Sequence, residues 1–308
     1  MFARNGAFRL FTFQGIGVHV HWSWFVAAML LIQNPVGHYS GDAYLWFVLE
    51  YLALFGIVLL HELGHALACK QVGGEAHEIV LWPLGGVAFV SPPQRPGATL
   101  WSIAAGPLVN VALIPVLETI NWAIHAFGWL PGVNAHIMLH AITYINYGIL
   151  IFNLIPVYPL DGGQILRSLL WFVIGRGRSL LAASVIGFAG VAVLLVLAVL
   201  GRNLWLGLIS GFVLLNCWQG LRQAMAMSRI DDLPHRKGFA CPGCQTPPHI
   251  GNYWMCSQCR TPFDTFASRA QCPNCNTTFT TTRCMTCGSS HPLSEWHTSR
   301  PPPPPPFR

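Results

Sequence analysis

Apolar runs long enough to cross a lipid bilayer constrain this chain more than any other feature. A transmembrane helix needs about 20 predominantly apolar residues. Six segments of the sequence approach that length: 17–33, 44–69, 99–120, 136–158, 180–200 and 204–221. Only 9% of the residues are charged, whereas soluble proteins usually carry about 25%. This composition argues against a large water-soluble protein with buried helices, and we expect an α-helical multi-pass membrane protein with about six spans.

The positive residues indicate how these spans are oriented. Lys and Arg collect in cytoplasmic loops of membrane proteins. Here they precede the first run, separate the second from the third and the fourth from the fifth, and follow the sixth, whereas segments 34–43 and 121–135 contain none. The alternation predicts an integral protein of the cell membrane with both termini in the cytoplasm. The net charge of +6 is then mainly a topology signal.

The second run contains the sequence "LLHELGHALA", residues 59–68. Residues i and i+4 share one face of a helix, so His61 and His65 can direct their imidazoles at one zinc ion. Glu62 lies beside them, where its carboxylate can take a proton from a water that the metal activates. A catalytic zinc usually has three protein ligands, so a third ligand is expected elsewhere.

Two later carboxylates compete for that place. The pattern H-E-x-x-H-x-x-G-x-x-H fails, because Ala68 and Gln71 stand where it needs Gly and His. Glu118 would lie ~27 Å from the cytoplasmic end of its span, whereas the histidines are up to ~14 Å deep. Asp161 would lie at ~9 Å if its helix continues to the next arginine. Its surroundings, "NLIPVYPLDGG", contain two prolines and two glycines that free the backbone to turn inward.

Four motifs together resemble the site-2 protease family of intramembrane zinc metalloproteases. H-E-x-x-H in one span and "N..P..PLDGG" in a later one are two of them. The segment "AAGPLVN", residues 104–110, is similar to the family's G-P-x-x-N element. The segment "LWPLGGVAFV", residues 81–90, is similar to its membrane-associated β-hairpin. The resemblance extends over about residues 15–220.

The resemblance implies the chemistry of the site. It implies a zinc ion held by His61, His65 and Asp161, with Glu62 as the general base, and peptide hydrolysis of transmembrane protein substrates in or near the bilayer. Residues that would bind substrate or support the site come from the same motifs: Asn110, Asn153, Gly85, Gly86, Gly106 and Pro107. Two simpler roles stay open, namely a loop that only caps the helices at 79–90 and interhelical hydrogen bonds for the two asparagines.

The C-terminal part has a different composition. Eight of the ten cysteines form four C-x-x-C pairs: Cys241/Cys244, Cys256/Cys259, Cys272/Cys275 and Cys284/Cys287. Two such pairs complete a tetrahedral Cys₄ zinc site, so the spacing predicts a double zinc ribbon with two structural zinc ions. Sequential pairing of the motifs is the simplest arrangement. Disulfides are disfavoured by the predicted cytoplasmic location, and an iron site of rubredoxin type is a weaker alternative.

These features predict four regions along the chain. We expect a protease domain at 1–222, a linker at 223–240, the ribbons at 241–290 and a disordered, proline-rich tail at 291–308. The ribbons would bind a cytoplasmic regulatory partner or part of a substrate. Nucleic acid is not expected, since residues 241–300 hold four Arg, no Lys and two acidic residues. The alternative function is a proteolytically silent membrane scaffold that displays the ribbons.

Overall fold

The structure is a computed structural model of the 308-residue chain. It describes residues 6–33, 43–82, 85–127, 133–231 and 233–298. Two compact units divide the chain, Met1–Ala224 and Met225–Arg308.

Seven helices lie in the described residues. They are α1 (Ser23–Gln33), α2 (Ala43–Gln71), α3 (Pro96–Phe127), α4 (Val133–Leu154), α5 (Asp161–Ile174), α6 (Arg176–Leu200) and α7 (Leu204–Asp231). Within the described part of the chain, four are long and apolar enough to span a bilayer: α2 from Tyr44, α3, α4 and α6. Each of the four extends over at least 22 residues, which is about 33 Å of helix.

The outer surfaces of these helices carry the apolar residues expected for contact with lipid. In α6, Val193 is 59% exposed and Val199 is 76% exposed. Most buried positions of the same helix are small or polar, such as Ala183, Ser179 and Ser184. Small and hydroxyl-bearing residues at helix interfaces with apolar residues outside are typical of membrane bundles.

The predicted first span is wrong in its N-terminal part. Residues 16–21 form a strand, and the helix that follows, α1, has 11 described residues, or about 16 Å. The predicted fourth span also ends early, because α4 stops at Leu154, before the two prolines. The predicted sixth segment lies inside α7. Residues 34–42, predicted to face the outside, fall outside the described residues.

A four-stranded sheet is formed by two strands that precede α2 in the chain and two that follow it. Its strands are β1 (Ala7–Phe13), β2 (Ile16–His21), β3 (Glu75–Trp82) and β4 (Gly85–Ser91). They lie in that order, with β1–β2 and β3–β4 antiparallel and β2–β3 parallel. The sequence predicted only the β3–β4 hairpin, with a Pro-Leu-Gly-Gly turn at 83–86. Residues 83–84 fall outside the described residues, and Gly85 and Gly86 are the first residues of β4.

Alternation of apolar residues explains why the sheet packs on α2. Ile16, Val18 and Val20 in β2 are buried, and Ile79 and Leu81 in β3 join the same cluster. Residues two apart on a strand share a face. That face packs on helix residues including Val58 and Ala66, so the sheet is fixed against the helix that carries the H-E-x-x-H motif.

The second unit contains two small hairpins. One pairs β5 (Trp254–Met255) with β6 (Pro262–Phe263), and the other pairs β7 (Thr282–Arg283) with β8 (Ser290–His291). A 3₁₀ helix, Leu293–Trp296, follows and lies within the segment predicted as a disordered tail, whose residues 299–308 fall outside the described residues. The buried core of the unit consists of cysteines with a few aromatic residues, above all Phe266 and Trp296. So small an apolar core is consistent with folding energy supplied by metal.

Candidate metal centre

Three polar side chains of α2 are buried at the inner face of the helix. His61, Glu62 and His65 are 3%, 7% and 8% exposed. The two imidazole rings have centroids 4.8 Å apart, and their Nε2 atoms lie 3.1 Å from each other. The i, i+4 spacing therefore brings the two nitrogens together, as the sequence predicted.

Asp161 reaches the same point from the non-helical segment between two helices. After α4 ends, residues 155–160 are non-helical, and Asp161 is the first residue of α5. One carboxylate oxygen, Oδ2, lies 3.0 Å from His61 Nε2 and 3.3 Å from His65 Nε2. The prolines and glycines around Asp161 thus end one helix and start another, rather than only bending a continuous helix. Glu118, the competing carboxylate, is exposed and accepts a hydrogen bond from Tyr147.

The three donor atoms fit a zinc ion. Ligands ~2.0–2.1 Å from a tetrahedral ion lie about 3.3 Å from one another. The triangle formed by the two Nε2 atoms and Oδ2 has edges of 3.0, 3.1 and 3.3 Å. Two imidazoles and one carboxylate are also a usual donor set for catalytic zinc. His61, His65 and Asp161 could therefore hold a metal ion.

The rear nitrogen of each imidazole has a partner. His61 Nδ1 lies 2.5 Å from Asn110 Oδ1, and His65 Nδ1 lies 2.9 Å from the Ser102 carbonyl oxygen. The Asn110 amide donates to Asn146 Oδ1 at 2.8 Å, and Asn146 Nδ2 donates to the Asn110 carbonyl at 3.0 Å. Such hydrogen bonds fix the ring orientation of metal-binding histidines.

Asn146 was missed in the sequence. Its only signal was an asparagine within an apolar run, which other asparagines of the spans share. The structure adds that Asn146 is fully buried. Asn153 lies two turns further along α4 and is half-buried.

Two glycines leave room for the buried side chains of the candidate metal centre. A Cβ added at Gly106 would collide with the imidazoles of His61 and His65, and one at Gly86 would collide with the Glu62 carboxylate. Pro107 follows Gly106 in α3 and is buried. The close packing of α3 and β4 on the site therefore depends on glycine at both positions.

Glu62 is hydrogen-bonded to the sheet. Its Oε2 accepts a hydrogen bond from the Ala88 backbone amide, 3.0 Å away, in β4. Ala88 is also a partner of Ile79 in the β3–β4 register. Since β4 is the edge of the sheet, its free side lies beside the carboxylate.

The cysteines of the second unit form two clusters. Cys241, Cys244, Cys284 and Cys287 form one, and Cys256, Cys259, Cys272 and Cys275 form the other. Close Sγ pairs are 3.7 Å apart in the first cluster and 3.5 and 3.6 Å in the second. Sulfurs bound ~2.3 Å from a tetrahedral zinc are about 3.8 Å apart. Sequential pairing of the motifs was wrong, because the second pair joins the third and the first joins the fourth.

Each cluster holds a thiol that is acidic before metal binds. A hydrogen bond with the Cys284 thiol is the main cause that lowers the pKa of Cys244 to about 4. The Thr261 side chain and backbone lower the pKa of Cys259 to about 5. A thiolate is the form that binds zinc, so both clusters suit a metal. All eight cysteines are free of disulfides.

Comparisons with known proteins agree with the geometry of the metal centre. Residues 123–197 match the model of peptidase family M50. A zinc metalloprotease of Methanocaldococcus jannaschii is 32% identical over 218 residues, which cover 71% of this chain and 61% of that protein. A putative zinc metalloprotease of Synechocystis is 29% identical, over 74% of this chain and 63% of that one.

A solved structure is also similar. The site-2 protease from Methanocaldococcus jannaschii superimposes with a TM-score of 0.52 at 30% identity, covering 70% of this chain and 95% of that chain. The chain spans about three fifths of the length of the two curated relatives.

Proposed function

Because the chain belongs to peptidase family M50, the site-2 protease family, we propose that it is an intramembrane zinc metalloprotease. His61, His65 and Asp161 hold the catalytic zinc, and Glu62 is the general base. The substrates are transmembrane proteins, cut in or near the bilayer. The observation that carries this proposal is the convergence of three zinc-type donors within an apolar helical unit, beside a buried glutamate that is not one of the donors.

The reaction is hydrolysis of a peptide bond. Zinc, when bound, supplies Lewis acidity that polarises a carbonyl group and lowers the pKa of water. Glu62 takes the proton of the attacking water and gives it to the leaving amine. Asn110 and Ser102 hold the two histidine rings in place through their Nδ1 atoms. Burial of the site limits the water that reaches it, so the chemistry is confined to a peptide that has entered.

The edge of β4 is the proposed substrate-binding element. A transmembrane helix must unwind before it can be cut, and an extended segment can add to an exposed strand edge. The Ala88 amide bonded to Glu62 lies on β4, which would hold an added strand next to the general base. Gly85 and Gly86 keep the start of this strand free of bulky side chains, and Asn153 is proposed to support the same cleft.

The second unit is proposed to bind rather than to catalyse. Its two Cys₄ clusters would hold structural zinc ions with all four positions filled, leaving no position for water. We propose that the ribbons bind a cytoplasmic part of the substrate or a regulatory partner, which raises the local concentration of substrate. The charge pattern supports a cytoplasmic location for both termini of the protein in the cell membrane.

A substitution at Glu62 tests the proposed role in catalysis. Glu62→Gln removes a base but no ligand, so the variant should keep its zinc and lose activity by a factor of about 10²–10⁴. Cleavage of a single-span model substrate in detergent and zinc content by mass spectrometry are the two measurements. Glu75→Gln is the matched control, because Glu75 is an exposed glutamate of β3 with 74% side-chain exposure.

The outcomes distinguish the two functions. Normal cleavage by Glu62→Gln would refute the assigned mechanism. A wild-type chain that holds zinc but cuts no membrane substrate would favour the alternative of a silent scaffold.

A further inference from the structure

A second group of histidines lies at the end of α3 and the beginning of α4. His125 is two residues before the end of α3, and His136 and His140 lie in the first part of α4. The ring centroid of His125 is 4.4 Å from that of His136 and 6.2 Å from that of His140. This group is separate from the metal centre, since His125 lies fifteen positions, or ~22 Å of helix, beyond Asn110.

Spacing and ring separations resemble those of the first histidine pair. His136 and His140 are related as i and i+4, the same spacing as His61 and His65 in α2, so both face one side of α4. The rings of the α2 pair have centroids 4.8 Å apart, a value between the two separations found here. Three imidazoles on two neighbouring helices therefore lie close enough to share one ion after small side-chain rotations.

The accessibility of the rings allows such rotations. His125 and His140 are exposed, and His136 is half-buried. The rings of His125 and His136 are stacked with 19° between their planes, so His125 has to turn about its side-chain torsions before both can bind one ion. Because His125 is exposed, this turn costs few contacts. Nδ1 of His136 is buried and has no hydrogen-bond partner among the described residues, so it is available as a ligand.

The donor set defines the kind of ion. Imidazole nitrogen suits zinc, copper and nickel, whereas magnesium and calcium require oxygen ligands. The nitrogens of the three imidazoles do not yet converge, because the groups of close metal-donor atoms among the described residues do not include them, so binding has to draw the rings together. We infer that His125, His136 and His140 form a binding site for one divalent transition-metal ion, which links α3 to α4 at the end remote from the catalytic centre.

Such an ion would act as a cross-link between two helices. α3 provides Asn110 and α4 provides Asn146, so the same two helices hold the hydrogen bonds behind His61. An ion that binds only the folded arrangement stabilises it by an amount that grows with the logarithm of the ion concentration once that concentration exceeds the dissociation constant. The inference does not depend on catalysis, because a silent scaffold with the same helices would bind the ion equally well.

Nickel binding by the full chain tests the site. The protein, made without a histidine tag, is dialysed in detergent against metal-free buffer, and its resident zinc is counted. It is then equilibrated with micromolar Ni²⁺, and both metals are counted again together with the thermal midpoint. The variants are His125→Gln and His140→Gln, both at exposed positions. His77→Gln is the control, because His77 is an exposed histidine of β3 with 75% side-chain exposure.

We expect the wild-type chain and the His77→Gln control each to bind one additional Ni²⁺ per chain that neither variant binds. The resident zinc content should be the same in all four proteins. Added Ni²⁺ should raise the thermal midpoint of the wild type and the control only. Equal Ni²⁺ binding by the wild type and both variants would overturn the site, as would an equal loss in His77→Gln. If one variant loses its resident zinc through misfolding, the other decides the question.

Discussion

The proton positions behind the metal centre follow from a chain of hydrogen bonds that ends on a backbone carbonyl. That carbonyl, of Asn110, can only accept, so the group of Asn146 facing it is the NH₂. The Asn146 oxygen then faces the Asn110 side-chain NH₂, which turns the Asn110 oxygen toward His61. Because the Asn110 oxygen can only accept a hydrogen bond, His61 Nδ1 must carry the proton that it donates to this oxygen. The lone pair of His61 is therefore on Nε2, which faces Asp161.

Replacing Asn146 should weaken metal binding without touching a ligand. In Asn146→Ala the Asn110 side chain can rotate and His61 loses its fixed orientation. Loss of a partner of this kind typically lowers metal affinity 10–100-fold. Competition with a zinc chelator measures the affinity of the candidate metal centre. Asn121→Ala is the control, because Asn121 also lies buried between α3 and α4 and donates to Thr143, but far from the metal centre. Equal zinc affinity in the two variants would contradict the role given to Asn146.

The sequence was informative about the metal donors because two of them, His61 and His65, are close together in the chain. His61, Glu62 and His65 lie within little more than one turn of a single helix, so helical spacing alone predicts their arrangement. Asp161 was predictable from its broken, proline-rich surroundings at membrane depth. Asn146 was not, because its contact with Asn110 joins residues 36 apart, and nothing local distinguishes it from other span asparagines.

At the scale of elements, helices were predicted better than strands. Runs of about 20 apolar residues indicate spans directly, and α2, α3, α4 and α6 are found near the predicted positions. In 16–21 the apolar residues alternate, but the segment runs directly into the apolar helix α1 and was counted as part of one span. The β2–β3 pairing joins strands on either side of α2, and parallel pairing of this kind has no local turn signal.

The cysteine pairing has an equally sharp test. In the observed nested pairing, the first C-x-x-C pair joins the fourth and the second joins the third. Nested and sequential pairing therefore predict different zinc losses for the same double variant. The observed clusters predict that Cys244→Ser with Cys287→Ser removes one structural zinc, whereas Cys244→Ser with Cys259→Ser removes two. Zinc content of the purified variants is the measurement. The opposite pattern would restore sequential pairing.

The whole molecule consists of two units that differ in what stabilises them. The first has long apolar helices and a sheet packed on α2, whereas the core of the second is built largely from cysteines. All three donors of the candidate catalytic centre lie in the first unit. The helix α7 continues to Asp231, so the first nine residues of the predicted linker are helical.

A truncation after residue 232 should separate catalysis from recognition. The shortened chain should hold two zinc ions fewer than the full chain, because both Cys₄ clusters are removed. It should still cut a minimal single-span substrate but cut its natural substrate less efficiently. Zinc counting and cleavage of both substrates are the measurements. Equal zinc content in the two forms would remove the ribbon assignment, and a folded truncation unable to cut the minimal substrate would assign the second unit to the catalytic machinery.

The proposed orientation is tested with a thiol reagent that does not cross membranes. Val133→Cys, at a 71% exposed position at the start of α4, should be labelled in intact cells. Arg178→Cys, at an exposed position of α6, should be labelled only after the cells are permeabilised. Each substitution is made in the chain truncated after residue 232, which keeps only the buried Cys69 and Cys217, and this truncated chain without either substitution is the control that should stay unlabelled. Labelling of Arg178→Cys but not Val133→Cys in intact cells would reverse the topology.

The nesting of the two cysteine clusters also sets an order in which the second unit can assemble. The inner cluster closes a loop between Cys256 and Cys275, 19 positions apart, whereas the outer one joins Cys241 to Cys287 over 46 positions. Closing the longer loop first costs about 0.8 kcal/mol more in chain entropy. Once the inner ion is bound, its hairpin shortens the flexible chain that the outer cluster still has to close. A nascent chain would therefore bind zinc at the inner site first. When zinc is scarce, the outer site would stay empty, and the core around Trp296, which packs against Cys241 and Cys284, would not form.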